Sequence, residues 1–212
     1  MKDLKISREE FLLSAFKRLP KGMFDELKSK KVGIAGAGGL GSNIAATLIR
    51  SGIMNLTIAD FDKVEASNLN RQYYFYSHIG MNKVDALKEQ LLKINPFAEI
   101  KTYNIYLNKD NFDDIFSDCD IIAEAFDKAE NKAEIVNHYA KGGIPIVSGN
   151  GMAGDYSANM IKSRKLGDNL YISGDLVSEA NDDNGLLASR VAVVANHQAH
   201  IIIRVLRNKK EV

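Results

Sequence analysis

The segment KVGIAGAGGLG (31–41) sets an apolar run directly against four glycines, at positions 36, 38, 39 and 41. A chain can turn this sharply out of a buried strand and into a helix only where side chains are missing. Glycine alone tolerates the left-handed backbone and the close approach of neighbouring carbonyls. The spacing is G-x-G-x-x-G, and its surroundings are the strand–turn–helix context that gives this motif meaning. KVGIA reads as a strand over 31–35, and 40–51 as a helix closed by Gly52. Backbone N–H groups converging at a helix N-terminus form an anion site. Asp60 ends the next apolar strand, LTIA (56–59), 24 residues after Gly36. A carboxylate there accepts hydrogen bonds from ribose hydroxyls. Gly36, Gly38, Gly39, Gly41 and Asp60 are therefore candidate nucleotide-binding residues. On this motif alone, the ordinary reading is a dinucleotide-dependent oxidoreductase.

The rest of the chain alternates strands and helices. Strands are expected at 99–103, 120–124 and 144–148, and helices at 83–94 and 129–141. Beyond Gly149 come two short strand candidates (158–162 and 170–173), a polar loop (179–185) and a long amphipathic helix over 186–207. The order predicts an α/β fold of the Rossmann-like type. It has a mainly parallel sheet, helices on both faces and a short C-terminal antiparallel extension. Residues 1–28 read as a helical segment, broken at Pro20 and Gly22, ahead of one domain over 29–212. The 28 Lys and Arg balance 27 Asp and Glu, so no basic excess points to nucleic acid. No apolar run reaches the roughly 18 residues of a membrane span. The single cysteine, Cys119, excludes an internal disulfide and a cysteine-cluster zinc site, and fits a reducing cytoplasm.

Three further features point past a dinucleotide. A pyrophosphate carries roughly two negative charges, and a helix N-terminus largely suffices for it. A triphosphate carries about four and calls for a metal with Arg or Lys on the departing phosphates. Ser67-Asn68-Leu69-Asn70-Arg71-Gln72 lies in the loop after the second strand, at the ligand edge of such a sheet. Arg71 can fork onto phosphate oxygens, with Asn68 and Gln72 as neutral partners. Lys83 begins a helix, where a cation opposes the helix dipole unless a phosphate binds there. Asp127 follows the fourth strand at the same edge and suits magnesium. The plain alternatives are a solvated loop, a hydrated lysine and a helix cap. One shared sheet edge favours the combined reading.

The segments VGIAGAGGLGSN (32–43), IADFDKVEASNLNRQ (58–72), IGMNKV (79–84) and the Asp127 region resemble the ThiF/MoeB/HesA family of ubiquitin-activating-enzyme-like adenylyltransferases. The resemblance covers about residues 30–150. The compact length, with FDKAENK and GNGMAG, is most similar to a short ThiF subgroup of thiamine biosynthesis. It implies ATP as substrate, with Gly36, Gly38, Gly39 and Gly41 around its phosphates and Asp60 on its ribose. Ser67, Asn68, Arg71, Gln72 and Lys83 would complete the nucleotide site, and Asp127 would hold magnesium. The implied partner is a ThiS-like sulfur-carrier protein, whose C-terminal Gly-Gly carboxylate is adenylated. The implied assembly is a homodimer in which an N-terminal arginine, Arg18 in preference to Arg8, reaches the neighbouring site.

The sequence also departs from the family pattern. Its two Cys-x-x-Cys zinc pairs are absent, and no cysteine lies near 173–189. Asp127-Lys128 stands where relatives carry Asp-Asn, which leaves open whether Asn131 compensates. Adenylation without a thioester or persulfide step on this chain is the expected chemistry. Activation of a small-molecule or tRNA-linked carboxylate, and a non-catalytic binding role, remain the alternatives. The tyrosine-rich run 73–76 is expected at an interface or in the core.

Overall fold

In the computed structural model, which describes residues 6–209 and 211–212, seven strands form one sheet. They are β1 (Lys31–Ala35), β2 (Asn55–Ala59), β3 (Glu99–Tyr103), β4 (Ile121–Glu124), β5 (Ile146–Gly149), β6 (Lys162–Leu166) and β7 (Leu170–Gly174). Their order is β3-β2-β1-β4-β5-β7-β6. All neighbours pair in parallel except β6, which runs antiparallel to β7 at the edge. The antiparallel extension is thus the single strand β6, because β7 pairs with β5 in parallel register, Ile146 opposite Leu170.

The helices are α1 (Arg8–Phe16), α2 (Met23–Leu27), α3 (Gly39–Arg50), α4 (Lys83–Ile94), α5 (Phe112–Phe116), α6 (Ala129–Tyr139) and α7 (Ala188–Leu206). They cover both faces of the sheet. Val32 and Ile34 of β1 pack into a core with residues of α3, α4 and α7. The alternate residue Ala35 joins a second core with Phe112, Phe116 and Ile135 of α5 and α6. A side chain at Gly33 would lie 2.7 Å from the Phe116 ring, so the missing Cβ sets how closely α5 approaches. β4 and β5 are buried along their whole length, which is why both read as continuous apolar runs rather than alternating ones.

Several boundaries differ from expectation. Helix α5 has no sequence signal of its own; its five residues FDDIF are too few to display a helical period. β6 starts at Lys162 because Ala158–Met160 forms a 3-10 turn led by the Ser157 hydroxyl. Residues 1–5, part of the expected N-terminal helical segment, lie outside the described residues. Ser7 caps α1 reciprocally with Glu10, and Gly22, at φ +79°, separates α1 from α2. Met23 and Leu27 of α2 enter the same core as α3 and α7.

The sheet order places a topological switch between β1 and β4, since the chain leaves β1 towards β2 and β3 and returns to β4 on the other side. Ligands of open α/β sheets bind in the crevice outside the strand ends at such a point. The glycine turn stands there. A Cβ on Gly41 would overlap the Gly36 carbonyl, and one on Gly36, whose φ is +100°, would sit 2.8 Å from the Ala125 carbonyl oxygen. Gly41→Ala is expected to cost about 1–3 kcal/mol, seen as a Tm loss of roughly 2–12 °C. Gly185, where a Cβ would meet no heavy atom within 4 Å, is the control, and Gly185→Ala should stay within about 1 kcal/mol of wild type. Equal losses in both variants would remove close approach as the reason for the Gly41 glycine.

Candidate functional site

The turn after β1 is held by backbone and by one carboxylate. Gly36 N–H donates to the Ala59 carbonyl at 2.9 Å, tying the turn to the end of β2. Asp60 accepts from Ala37 N–H at 2.6 Å through Oδ2, and from Asp62 N–H at 2.8 Å through Oδ1. Burial lifts the Asp60 carboxyl above the usual carboxylate range, against the opposing pull of those two N–H groups. Each carboxylate oxygen keeps a lone pair free for a hydroxyl. The N-cap of α3, Gly38, has no side-chain cap, and Gly38 and Gly39 are half-buried. The first turn of a 12-residue helix therefore opens into the crevice.

The loop after β2 folds back over this helix end. Asn43 Nδ2 donates to the carbonyls of Gly39 (2.7 Å) and Arg71 (3.0 Å), and Ser42 Oγ accepts from Tyr73 N–H at 3.0 Å. The stem of Arg71 consequently lies beside Gly39: its Cγ and Cδ are 3.7 and 3.8 Å from where a Cβ there would be. Its Nη1 donates to Asn70 Oδ1 at 2.7 Å and to the Ser67 carbonyl at 3.1 Å. Gln72 is buried, with Oε1 unpartnered and Nε2 near Gly38. Asn68, also buried, is partly committed to the turn itself, since its Oδ1 accepts from Glu65 N–H at 3.0 Å. Ser67 is exposed, and its hydroxyl donates to Glu65.

Lys83 reaches the same edge because residues 62–64 pair with 80–83 through a bridge between Lys63 and Asn82. Its ammonium is buried and pairs with Asp62 Oδ2 at 2.7 Å. Tyr74 donates its hydroxyl to the Ala37 carbonyl at 2.7 Å, with the Lys83 carbonyl 3.3 Å away, so one ring spans the glycine turn and the start of α4. Burial pushes the Tyr74 hydroxyl far above its ordinary range, which keeps it a donor. The aromatic run divides: Tyr74 is core, whereas Phe75 and Tyr76 are exposed.

Asp127 stands on the other wall of the crevice, two residues past Ala125, whose carbonyl faces Gly36. It is exposed, and the N-cap of α6 is Lys128 without a side-chain cap, so Asp127 does not cap that helix. Its segment is fixed from below by Glu124, which is fully buried. Glu124 accepts from Phe126 N–H (2.7 Å), Lys132 Nζ (3.0 Å) and Ser148 Oγ (2.5 Å). Asn131 Oδ1 accepts from the Tyr106 hydroxyl at 3.2 Å.

The glycine turn, Asp60, residues 67–72 and Lys83 are thus joined by direct contacts, and Asp127 follows β4 at the same carboxyl edge of the sheet. Arg18 and Arg8 are not part of this group. Leu19, beside Arg18, packs on Gly52 at the far end of α3. Arg8 lines a cavity of about 140 Å³ with Asn55 and Glu99, which open β2 and β3. Both arginines sit at the opposite sheet edge of their own chain. Sequence reasoning assigned no role to Asp62, Asn70 or the Glu124–Lys132 pair, and placed Tyr74 only in an aromatic run expected at an interface or in the core. The available signals were the second acid of DFD and a charged residue ending the apolar strand DIIAE.

The ThiF family pattern matches residues 12–212. The molybdopterin-synthase adenylyltransferase of Haemophilus influenzae is 34% identical over 126 residues, 59% of this chain and 52% of that protein. The adenylyltransferase and sulfurtransferase UBA4 of Eremothecium gossypii is 39% identical over 128 residues, 60% of this chain and 29% of that protein. The matches span only 21 to 38% of the length of the first curated relatives. Among solved structures, the E. coli tRNA N6-threonylcarbamoyladenosine dehydratase in complex with ATP superposes with a TM-score of 0.85 over 95% of both chains. At 18% identity that likeness is one of fold.

One of these relatives is named a sulfurtransferase, which makes the state of the single thiol informative. Cys119 precedes β4 at the sheet edge opposite the crevice and is buried against Gly33. Burial pushes its thiol up to about 12. The nucleophilic thiolate is therefore scarce at neutral pH. Native protein at pH 8 should resist iodoacetamide and react fully once unfolded in guanidinium; rapid native alkylation would show an accessible, activated thiol.

Proposed function

The chain belongs to the ThiF family, and on that premise we propose that it uses ATP to adenylate a carboxylate. The acceptor in this proposal is the C-terminal Gly-Gly of a small ThiS-like sulfur-carrier protein, in thiamine thiazole biosynthesis. The observation that carries the reading is the grouping of Arg71 and Gln72 at the open N-terminus of α3, with the start of α4 at Lys83 tied to the same glycine turn through Tyr74. Two cationic side chains, Arg71 and the Asp62-paired Lys83, stand beside a helix N-terminus that would largely suffice for a pyrophosphate, and in this reading they serve the further phosphate of a triphosphate.

The chemistry follows from the substrates. A carboxylate oxygen attacks the α-phosphorus, a C–O–P linkage forms, and the bond to the β-phosphate oxygen breaks. Acyl-adenylate and pyrophosphate result. The nucleophile arrives with the acceptor, so the chain need supply only position and charge. Asp60 orients the ribose, while the α3 N–H groups with Arg71 and Lys83 offset the charge that collects on the leaving pyrophosphate. Lys83 is held for this by Asp62, and Asn68 and Ser67 shape the turn that presents Arg71.

A magnesium ion would fit at Asp127. That carboxylate is exposed and uncommitted as a cap, and magnesium takes one or two protein carboxylates plus phosphate oxygens and water. When bound, it would neutralise phosphate charge. The assembly in this reading is a homodimer. Arg18 is exposed at the far edge of its own sheet, so its service to a site belongs to a neighbouring copy. Near-zero net charge favours a protein or small-molecule carboxylate over one attached to tRNA. A cytoplasmic setting accords with the single reduced thiol, and no described helix is long and apolar enough to cross a membrane.

ATP–pyrophosphate exchange tests the reading, with carrier proteins ending in Gly-Gly as acceptors. Arg71→Ala should lower the exchange rate by about 10²–10³-fold, the cost of one transition-state donor. Asp127→Ala should abolish the magnesium-dependent exchange while leaving the fold intact. A loss below twofold in Arg71→Ala would make Arg71 a surface residue, and unchanged turnover in Asp127→Ala would remove the metal assignment.

A further inference from the structure

Residues 175–187 form a polar segment between β7 and α7, tethered at both ends. Asp175 accepts from Val177 and Ser178 N–H at 2.8 Å each and pairs with Arg190 of α7 at 2.5 Å, both partners buried. The two N–H bonds and the Arg190 charge outweigh burial and hold the Asp175 carboxyl below its usual range. Gly185 accepts from Gly154 N–H at 2.7 Å, and Asn184 Nδ2 donates to the Glu179 carbonyl at 3.0 Å. At its far end, the Leu186 carbonyl accepts from Asn70 Nδ2 at 3.2 Å.

The other side of the Asn70 amide faces Arg71, whose Nη1 donates to Asn70 Oδ1 at 2.7 Å. The orientation of this amide is forced. A guanidinium can only donate and a carbonyl can only accept, so Oδ1 must face Arg71 and Nδ2 must face Leu186. Val191, in the first turn of α7, lies 3.2 Å from where a Gly39 Cβ would be, and the Arg71 stem flanks the same point. Asn70 therefore bonds both the 175–187 segment and the arginine that lies over the α3 N-terminus.

We infer that Asn70 is a positioning residue: its amide anchors the Arg71 guanidinium to the Leu186 carbonyl and so pre-aligns it for the nucleotide phosphates. The inference rests on the ATP reading of the site. An arginine free to sample its rotamers loses that freedom on binding phosphate, whereas an anchored one has already lost it. In this reading the segment 175–187 acts on the phosphate site through one side chain.

The test is a double-mutant cycle of ATP affinity by titration calorimetry, using wild type, Asn70→Ala, Arg71→Ala and the double variant. Unliganded Tm reports folding, and both positions are at or near the surface. Asn70→Ala should weaken ATP binding about tenfold, Arg71→Ala more, and the double variant no further than Arg71→Ala, because coupled residues are non-additive. A merely structural asparagine would add its loss to that of Arg71→Ala, and additivity overturns the inference. Wild-type affinity in Asn70→Ala, beside weakened Arg71→Ala, overturns it while leaving the ATP reading intact. Wild type that binds no ATP overturns both.

Discussion

The missing side chain at Gly41 lets the first turn of α3 rest on the Gly36 carbonyl, and the rest of the site depends on that contact. Gly36 in turn lies against the Ala125 carbonyl, so β1, α3 and the end of β4 are locked at one point. Three consequences follow. The N-terminus of α3 is aimed into the crevice at the switch between β1 and β4. Asp60, at the end of β2, comes within hydrogen-bond reach of Ala37. Asp127 is carried just past β4, at the same carboxyl edge of the sheet. A bulkier turn would separate the anion site from both acids.

Around this rigid centre, the cations are held by neutral or oppositely charged partners rather than left loose. Lys83 is buried and opposes the dipole of its own helix, which would be costly alone. Asp62 offsets that cost while remaining about half-exposed (46%), so the pair keeps a solvent-facing side. Arg71 is held by two acceptors on its own loop. The buried Glu124 receives Lys132, Ser148 and the Phe126 amide, and fixes the segment that bears Asp127. Both walls of the crevice are therefore pre-organised, the condition under which positioning and charge alone can accelerate a phosphoryl-group displacement.

Much of this arrangement is written locally in the chain. The strand–glycine–helix passage at 31–50 dictates its own geometry, and Asp60 is where the spacing implied. Buried strands such as IIAE read as apolar runs because both their faces are covered. What escapes sequence reading is what depends on contacts distant in sequence. The five-residue α5 is too short to show a period, and its place follows from Phe116 filling the space above Gly33. Nothing near Asn70 foretells Leu186, 116 residues later. Arg18 and Arg8 illustrate a different limit: the family resemblance names them as candidates for a neighbouring copy's site, and one chain shows only that their segment packs at the sheet edge away from its own crevice. Helix capping also misleads at Asp127, where the cap position falls one residue later, on Lys128.

The crevice is proposed to serve a triphosphate rather than a dinucleotide. The most direct measurement is the thermal shift of the full chain with ATP and magnesium, with ATP and a chelator, and with NAD. A ligand at about 100 times its Kd adds about 2.7 kcal/mol, or roughly 5–10 °C for a chain of this size. Stabilisation by ATP with magnesium, smaller without the metal and absent with NAD, is the predicted result. Stabilisation by NAD alone would mean that Arg71, Lys83 and Asp127 share no ligand, and would contradict the account.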